Sequence, residues 1–166
     1  IGKAMGAIVI AAASSSKKLD AARKAGATYL INYREENLRS RLKEITGKDG
    51  VDVVYDPVGG DLFEAALRSI SWKGRVLVVG FASGEIPKIS INLALLKGCA
   101  IVGVFWGAFR LKENTADNQN FDQLFSWYNE GKIQPLVSQC YPLEDAARAL
   151  RTIMNREAIG KIVLKT

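Results

Sequence analysis

Short, uninterrupted apolar runs, each followed by a stripe of apolar residues at helical spacing, recur along this sequence and leave few architectures open. Residues 7–13 (AIVIAAA) are such a run, set between Gly6 and the serines Ser14, Ser15 and Ser16. That is the pattern of a strand buried on both faces, as in parallel sheets. Leu19, Ala22 and Ala25 then recur at helical spacing, with a serine available as N-cap and Gly26 placed to end the helix. The unit repeats with residues 29–31 and a helix presenting Leu38, Leu42 and Ile45, closed by Gly47. It repeats again with residues 51–55, a turn over 56–60, and a helix with Phe63, Ala66, Leu67 and Ile70 on one face. Residues 75–79 (RVLVV) read as a further buried strand ended by Gly80, Ser90 as the cap of a short helix through Leu96, and residues 99–105 (CAIVGVF) as one more strand. Strands alternating with helices in this way predict an α/β domain with a doubly wound parallel sheet and right-handed crossovers.

The pattern changes after Trp106. Residues 110–120 are polar; Phe121, Leu124, Phe125 and Tyr128 then form a helical stripe ending at Gly131. A further helix carries Ala146, Ala147, Leu150 and Ile153, and Lys161–Lys165 alternates like a half-exposed strand. No internal repeat and no linker rich in Pro, Gly or Ser interrupts the series.

Composition excludes several functions. With 48% hydrophobic residues in 166, the chain can bury a real core. Histidine is absent, which removes every Ser-His or Cys-His arrangement, and Cys99 and Cys140 lie far apart with no C-x-x-C pairing. Neither a metal site nor a disulfide framework is expected. The net charge of +6 is spread evenly, with 10 basic against 7 acidic residues in positions 1–56 and 13 against 10 in the remainder. No basic stripe interleaves with aromatics, so no nucleic-acid partner is expected. Nor does any apolar run approach the roughly 18 residues of a membrane span. The chain reads as soluble and cytoplasmic.

In an open α/β sheet, ligands sit at the carboxyl ends of the strands. Three serines, Lys17 and Lys18 follow the first strand here, where an NAD-preferring fold places an acid for the ribose hydroxyls. Hydroxyls beside a lysine suit a 2′-phosphate instead. On this segment alone, a helix cap followed by solvated lysines accounts for the same residues.

AAASSSKKLDAARKAGATYLINYREE, GVDVVYDPVGG, GRVLVVGFASGEIP, VGVFWG and REAIGKIVL occur in that order and spacing. Together they resemble the nucleotide-binding domain of the medium-chain dehydrogenase/reductase superfamily, its zinc-independent NADPH:quinone reductase branch in particular. The resemblance implies a Rossmann-type fold and NADPH as cofactor. Lys18, with Ser14 and Ser15, would grip the 2′-phosphate, Tyr33 would lie against the adenine or its ribose, and Arg156 would stand near the adenosine phosphate end. Val58 and Gly59 would lie where the third turn approaches the dinucleotide. Gly80, Phe81 and Ala82 match the loop passing the nicotinamide, and Val104, Phe105 and Trp106 the next loop lining that pocket. Each has a plainer reading: Tyr33 as a strand-end aromatic, Phe105 and Trp106 as core, Gly59 and Gly60 as turn formers.

The family's first strand and glycine-rich loop have no counterpart, since the sequence begins with IGKAMGA, which resembles the end of the following helix. Residues 1–132 are therefore expected to be a partial dinucleotide-binding domain, and 133–166 a segment returning toward an upstream catalytic domain. The implied activity is hydride transfer from NADPH to a small-molecule acceptor, a quinone or an α,β-unsaturated carbonyl, with no catalytic residue nominated. A noncatalytic NADPH-binding protein like the lens crystallins or sensors, a zinc-type alcohol dehydrogenase and an oligomerisation scaffold stay open as alternatives. The resemblance also implies a homodimer through the strand from Cys99 to Phe105, whose apolar edge would otherwise be exposed.

Overall fold

Every alternation read from the sequence is present in the computed structural model, which describes residues 1–166, but the strands divide among three hydrogen-bonded ladders. The elements are β1 (Ile10–Ala13), α1 (Ser16–Lys24), β2 (Tyr29–Asn32), α2 (Leu38–Thr46), β3 (Val51–Asp56), α3 (Asp61–Arg68) and β4 (Ile70–Val78). There follow α4 (Asn92–Lys97), β5 (Ala100–Gly103), α5 (Trp106–Lys112), α6 (Asn114–Asn129), β6 (Val137–Pro142), α7 (Ala146–Met154) and β7 (Lys161–Lys165). β1 pairs with β2, β4 lies between β3 and β5, and β6 pairs with β7. The β3–β4, β4–β5 and β6–β7 pairings are all parallel, as crossover helices require. Packing divides the chain into two units, Ile1–Leu30 with Asn120–Thr166, and Ile31–Gln119.

The second unit owes its core to the helical stripe of α3. Phe63 and Leu67 pack with Ile70 and Val76 of β4 and Leu93 of α4, while Val54, Val78 and Ile101 cover the edges. Each large apolar side chain so buried is worth about 1.5–3 kcal/mol. In the first unit, Leu19 of α1 and Ala149 of α7 are buried.

Several boundaries differ from the sequence reading. The run over 7–13 becomes strand only at Ile10, because Ala7 N–H turns back to Gly2 O and Val9 O accepts from both Thr28 and Tyr29 N–H. Nor is β1 buried on both faces; it is half exposed. β4 begins at Ile70, a residue expected on the α3 face, with an irregular register between Val51 and Val53 and a left-handed Lys73 (φ 61°). Ser90 does not cap α4: Ile91 holds the N-cap position, and Ser90 contributes only its carbonyl to Leu93 N–H. The stretch over 110–120 is helical, split between α5 and α6, and β6 was not anticipated. No helix is long and apolar enough to cross a membrane.

Leu67→Ala should lower unfolding free energy by about 2–5 kcal/mol in urea titration, since the side chain is fully buried. A loss below about 1 kcal/mol would mean that the α3–β4 contact is not the core of the unit.

Candidate cofactor site

In the first unit, β1 passes into α1 through the half-buried Ser14 and Ser15. Ser15 holds the N-cap position in extended backbone, yet its side chain makes no capping hydrogen bond. The first turn carries Lys17 and Lys18 and no acid. Cations at the positive end of a helix dipole are unfavourable by a few tenths to about 1 kcal/mol each, so this end of α1 suits an anion. Lys18 Nζ donates a 2.7 Å hydrogen bond to the carbonyl oxygen of Arg156, 138 positions away. Arg156 ends the turn after α7 with its N–H on Ile153 O and φ at 60°, a left-handed conformation uncommon for arginine. The structure thus brings together two of the cationic residues nominated from sequence.

Tyr33 begins the second unit's share of the nominated residues, half-buried in the turn after β2. Asn32 holds that turn: its N–H donates to Glu36 Oε1, its Oδ1 accepts from Arg34 N–H, and its carbonyl accepts from Glu35 and Glu36.

The turns after β3 and β4 are stitched to one another. Val79 N–H donates to Asp56 O, Ala82 N–H to Pro57 O, Ser83 N–H to Val58 O, and Gly60 N–H to Glu85 O, at 2.9–3.1 Å. Asp56, which the sequence reading placed only in the turn, organises it: buried, its Oδ1 accepts from Val58 N–H (2.8 Å) and Gly59 N–H (3.0 Å). Gly59 has φ at 69°, and a Cβ there would sit 2.9 Å from Glu85 O and from the Phe81 ring. The glycine is therefore required by the approach of the two loops, whatever else the turn does. Val58, Gly59, Gly80, Phe81 and Ala82 accordingly form one rim at the carboxyl ends of β3 and β4.

At the end of β5, Val104 N–H donates to Val78 O, carrying the ladder one residue beyond Gly103. Phe105 follows at 79% exposure. Trp106, expected in a loop, is instead the first residue of α5, and its indole N–H donates to Asp117 Oδ1 at 3.1 Å. Asp117 and its partner Arg110 carried no motif that could have marked them, because they meet only through the α5–α6 turn.

The chain matches the family described as zinc-binding dehydrogenase over residues 1–127. It is 38% identical over 162 residues to a quinone oxidoreductase-like protein 2 homolog of Nematostella vectensis, covering 97% of this chain and 44% of that protein. The crystal structure of Escherichia coli quinone oxidoreductase complexed with NADPH superposes at TM-score 0.85 and 36% identity, over 99% of this chain and 51% of that one. A mycobacterial protein complexed with NADPH gives TM-score 0.89 at 28% identity, with the same coverage. The chain spans about half the length of the curated relatives it matches. Its own residues do not fit a zinc ion: it has no histidine, Cys99 is half-buried, Cys140 is exposed, and no group of three or more possible ligands is assembled.

Asp56→Ala removes the acceptor of two N–H groups, one of them buried, and should cost about 1–3 kcal/mol. Asp56→Asn, which keeps an acceptor oxygen, should recover most of that in thermal unfolding. Equal losses for the two would show that the charge, not the hydrogen bonds, holds the turn.

Proposed function

The chain belongs to the zinc-binding dehydrogenase family, within the medium-chain dehydrogenase/reductase superfamily, and on that premise we propose that it is the nucleotide-binding part of an NADPH-dependent oxidoreductase acting on quinones or α,β-unsaturated carbonyls. The observation carrying this reading is the junction of Lys18 with Arg156 beside the uncapped Ser15 at the start of α1. Lysine and hydroxyl donors there suit the 2′-phosphate that distinguishes NADPH from NADH. Two of the solved relatives are NADPH complexes, which supports the same cofactor.

In this reading Ser14, Ser15, Lys18 and Arg156 bind the phosphate end, and Tyr33 lies against the adenine or its ribose. The rim of Val58, Gly59, Gly80, Phe81 and Ala82, with Val104, Phe105 and Trp106, flanks the nicotinamide, fixing its face and excluding water. The bound cofactor supplies the hydride. Hydride addition to a quinone gives a hydroquinone anion that can take its proton from solvent, so that acceptor requires no histidine in this chain. Residues 133–166, with the parallel pair β6–β7, return toward the second domain that completes the enzyme. The free edge of β5, bonded only to β4, is assigned to homodimer pairing. A monomer mass in light scattering at all concentrations would remove that assignment.

Turnover is tested by NADPH oxidation in the full-length protein against quinone and enone panels; activity with neither class would overturn the reading. Lys18→Glu should raise the KM for NADPH about 10- to 100-fold, the worth of a charge-assisted hydrogen bond, and leave NADH within about threefold. Equal losses for both cofactors would make Lys18 a structural residue.

A further inference from the structure

A cleft of about 660 Å³ lies between α2 and α3, both in the second unit. Arg39, Ser40 and Lys43 line it from α2, and Asp61, Glu64 and Arg68 from α3. None of these residues is among those assigned to the cofactor. The size falls within the roughly 300–1,000 Å³ of small-molecule sites, but this lining is charged where theirs is mostly apolar.

The charges in the cleft are unevenly partnered. Along α3, Glu64 Oε1 accepts from Arg68 Nε and Nη2 at 2.8 and 2.6 Å. The acids nearest Arg39 and Lys43 in the chain, Glu36 and Glu44, are both taken by Arg41. Arg39 and Lys43 are therefore left without an ion pair, and Asp61 on the facing helix pairs with neither. Four residues apart, the two cations share one face of α2 and repel each other, in a helix with no acid in its first turn to offset them. A merely solvated helix face alternates its charges at this spacing. Here the free cations stand together on one wall and the free carboxylate on the other, with an open space of ligand size between them.

That separation sets the chemistry of an occupant. Arg39 and Lys43 offer charge-assisted donors to phosphate oxygens, the guanidinium as a fork. Ser40 adds its hydroxyl, while its backbone N–H is already spent on Asn37 Oδ1. The Asp61 carboxylate can only accept, so it repels a bare polyanion and favours hydroxyl groups. We propose that the α2–α3 cleft binds a phosphorylated polyol of sugar-phosphate size, with its phosphate on Arg39 and Lys43 and its hydroxyls toward Asp61. The same chemistry occurs in a free sugar phosphate and in the ribose phosphate of a nucleotide, and the test separates the two sources.

The test is calorimetric titration of the full-length protein at low ionic strength with ribose 5-phosphate and AMP, and with orthophosphate and ribose as comparators. The better of the first two should bind with Kd below about 1 mM, and each comparator about tenfold or more weakly. Arg39→Gln combined with Lys43→Gln should weaken that ligand about tenfold or more. Lys112→Gln removes an exposed cation that lines no part of the cleft and should leave binding within about twofold. Asp61→Ala should narrow the gap between the sugar phosphate and orthophosphate. Tighter binding of AMP assigns the cleft to a nucleotide, and tighter binding of ribose 5-phosphate to a free sugar phosphate. Equal affinity in the wild type and the double variant, equal losses in the double variant and Lys112→Gln, or orthophosphate binding as tightly as the sugar phosphate overturns the inference. So does displacement by NADPH together with loss in Lys18→Glu, which places the phosphate at α1 instead. None of these titrations depends on turnover, so failure of the oxidoreductase reading leaves the outcome intact. Should the double variant fail to fold, Arg39→Gln and Lys43→Gln singly decide the question: each should weaken binding about threefold, and no change in either overturns the inference.

Discussion

Parallel pairing of β4 with both β3 and β5 is the constraint on which the second unit depends. Because Asp56 pairs with Val78, and Val78 with Gly103, the three strands end level, and their following turns emerge at one edge. A one-residue slip would invert every side chain between the two faces of the sheet. It would remove Val76 from the core and displace Asp56 from beneath its turn. The core of Phe63, Leu67, Ile70, Val76 and Leu93 therefore sets the register, and the register sets the rim.

The rim itself is made mostly of backbone. Loops ordinarily vary and move, yet the turns after β3 and β4 exchange main-chain hydrogen bonds almost as strands do, and the Asp56 carboxylate occupies two further N–H groups. Gly59 belongs to this arrangement through its positive φ and through the space that Glu85 O and Phe81 leave for it. A glycine that sequence reading assigns to ligand approach can thus be demanded first by the protein's own packing. The two demands are compatible, since a turn without side chains presents a flat backbone surface whatever required it.

What was legible in the sequence follows the same physics. Strands in a ladder with a neighbour on each side are continuous apolar runs, so β4 was read from RVLVV, and α3 was plain from Phe63, Ala66 and Leu67. β6 was not, because Val137, Cys140 and Tyr141 are interrupted by Ser138 and Gln139 and form no period. The start of β4 was hidden because Ile70 continues the spacing of α3 while the backbone has already turned into the sheet. α5 was missed for another reason: Asp117 of the next helix accepts from both Trp106 and Arg110, contacts that exist only after the chain has turned. Of the nominated site residues, Lys18 and Arg156 meet as side chain and carbonyl across 138 positions. Only the family register, and no local pattern, could have suggested that meeting.

The two groups of nominated residues differ in what sets their chemistry. At α1 the determinants are side chains: two lysines at the positive end of a helix, set against the dipole, and a serine hydroxyl that caps nothing. On the proposed reading such a site can change its preference by one substitution, because removing a cation there relieves the helix even as it would weaken anion binding. At the ends of β3, β4 and β5 the determinants are backbone turns, and a substitution acts through shape, at the cost of strain or lost hydrogen bonds. On the proposed reading, cofactor preference and acceptor scope are separable properties. The first can drift by charge with little effect on folding, whereas the second is bound to the stability of the β3–β4–β5 ladder and of the helices that follow it.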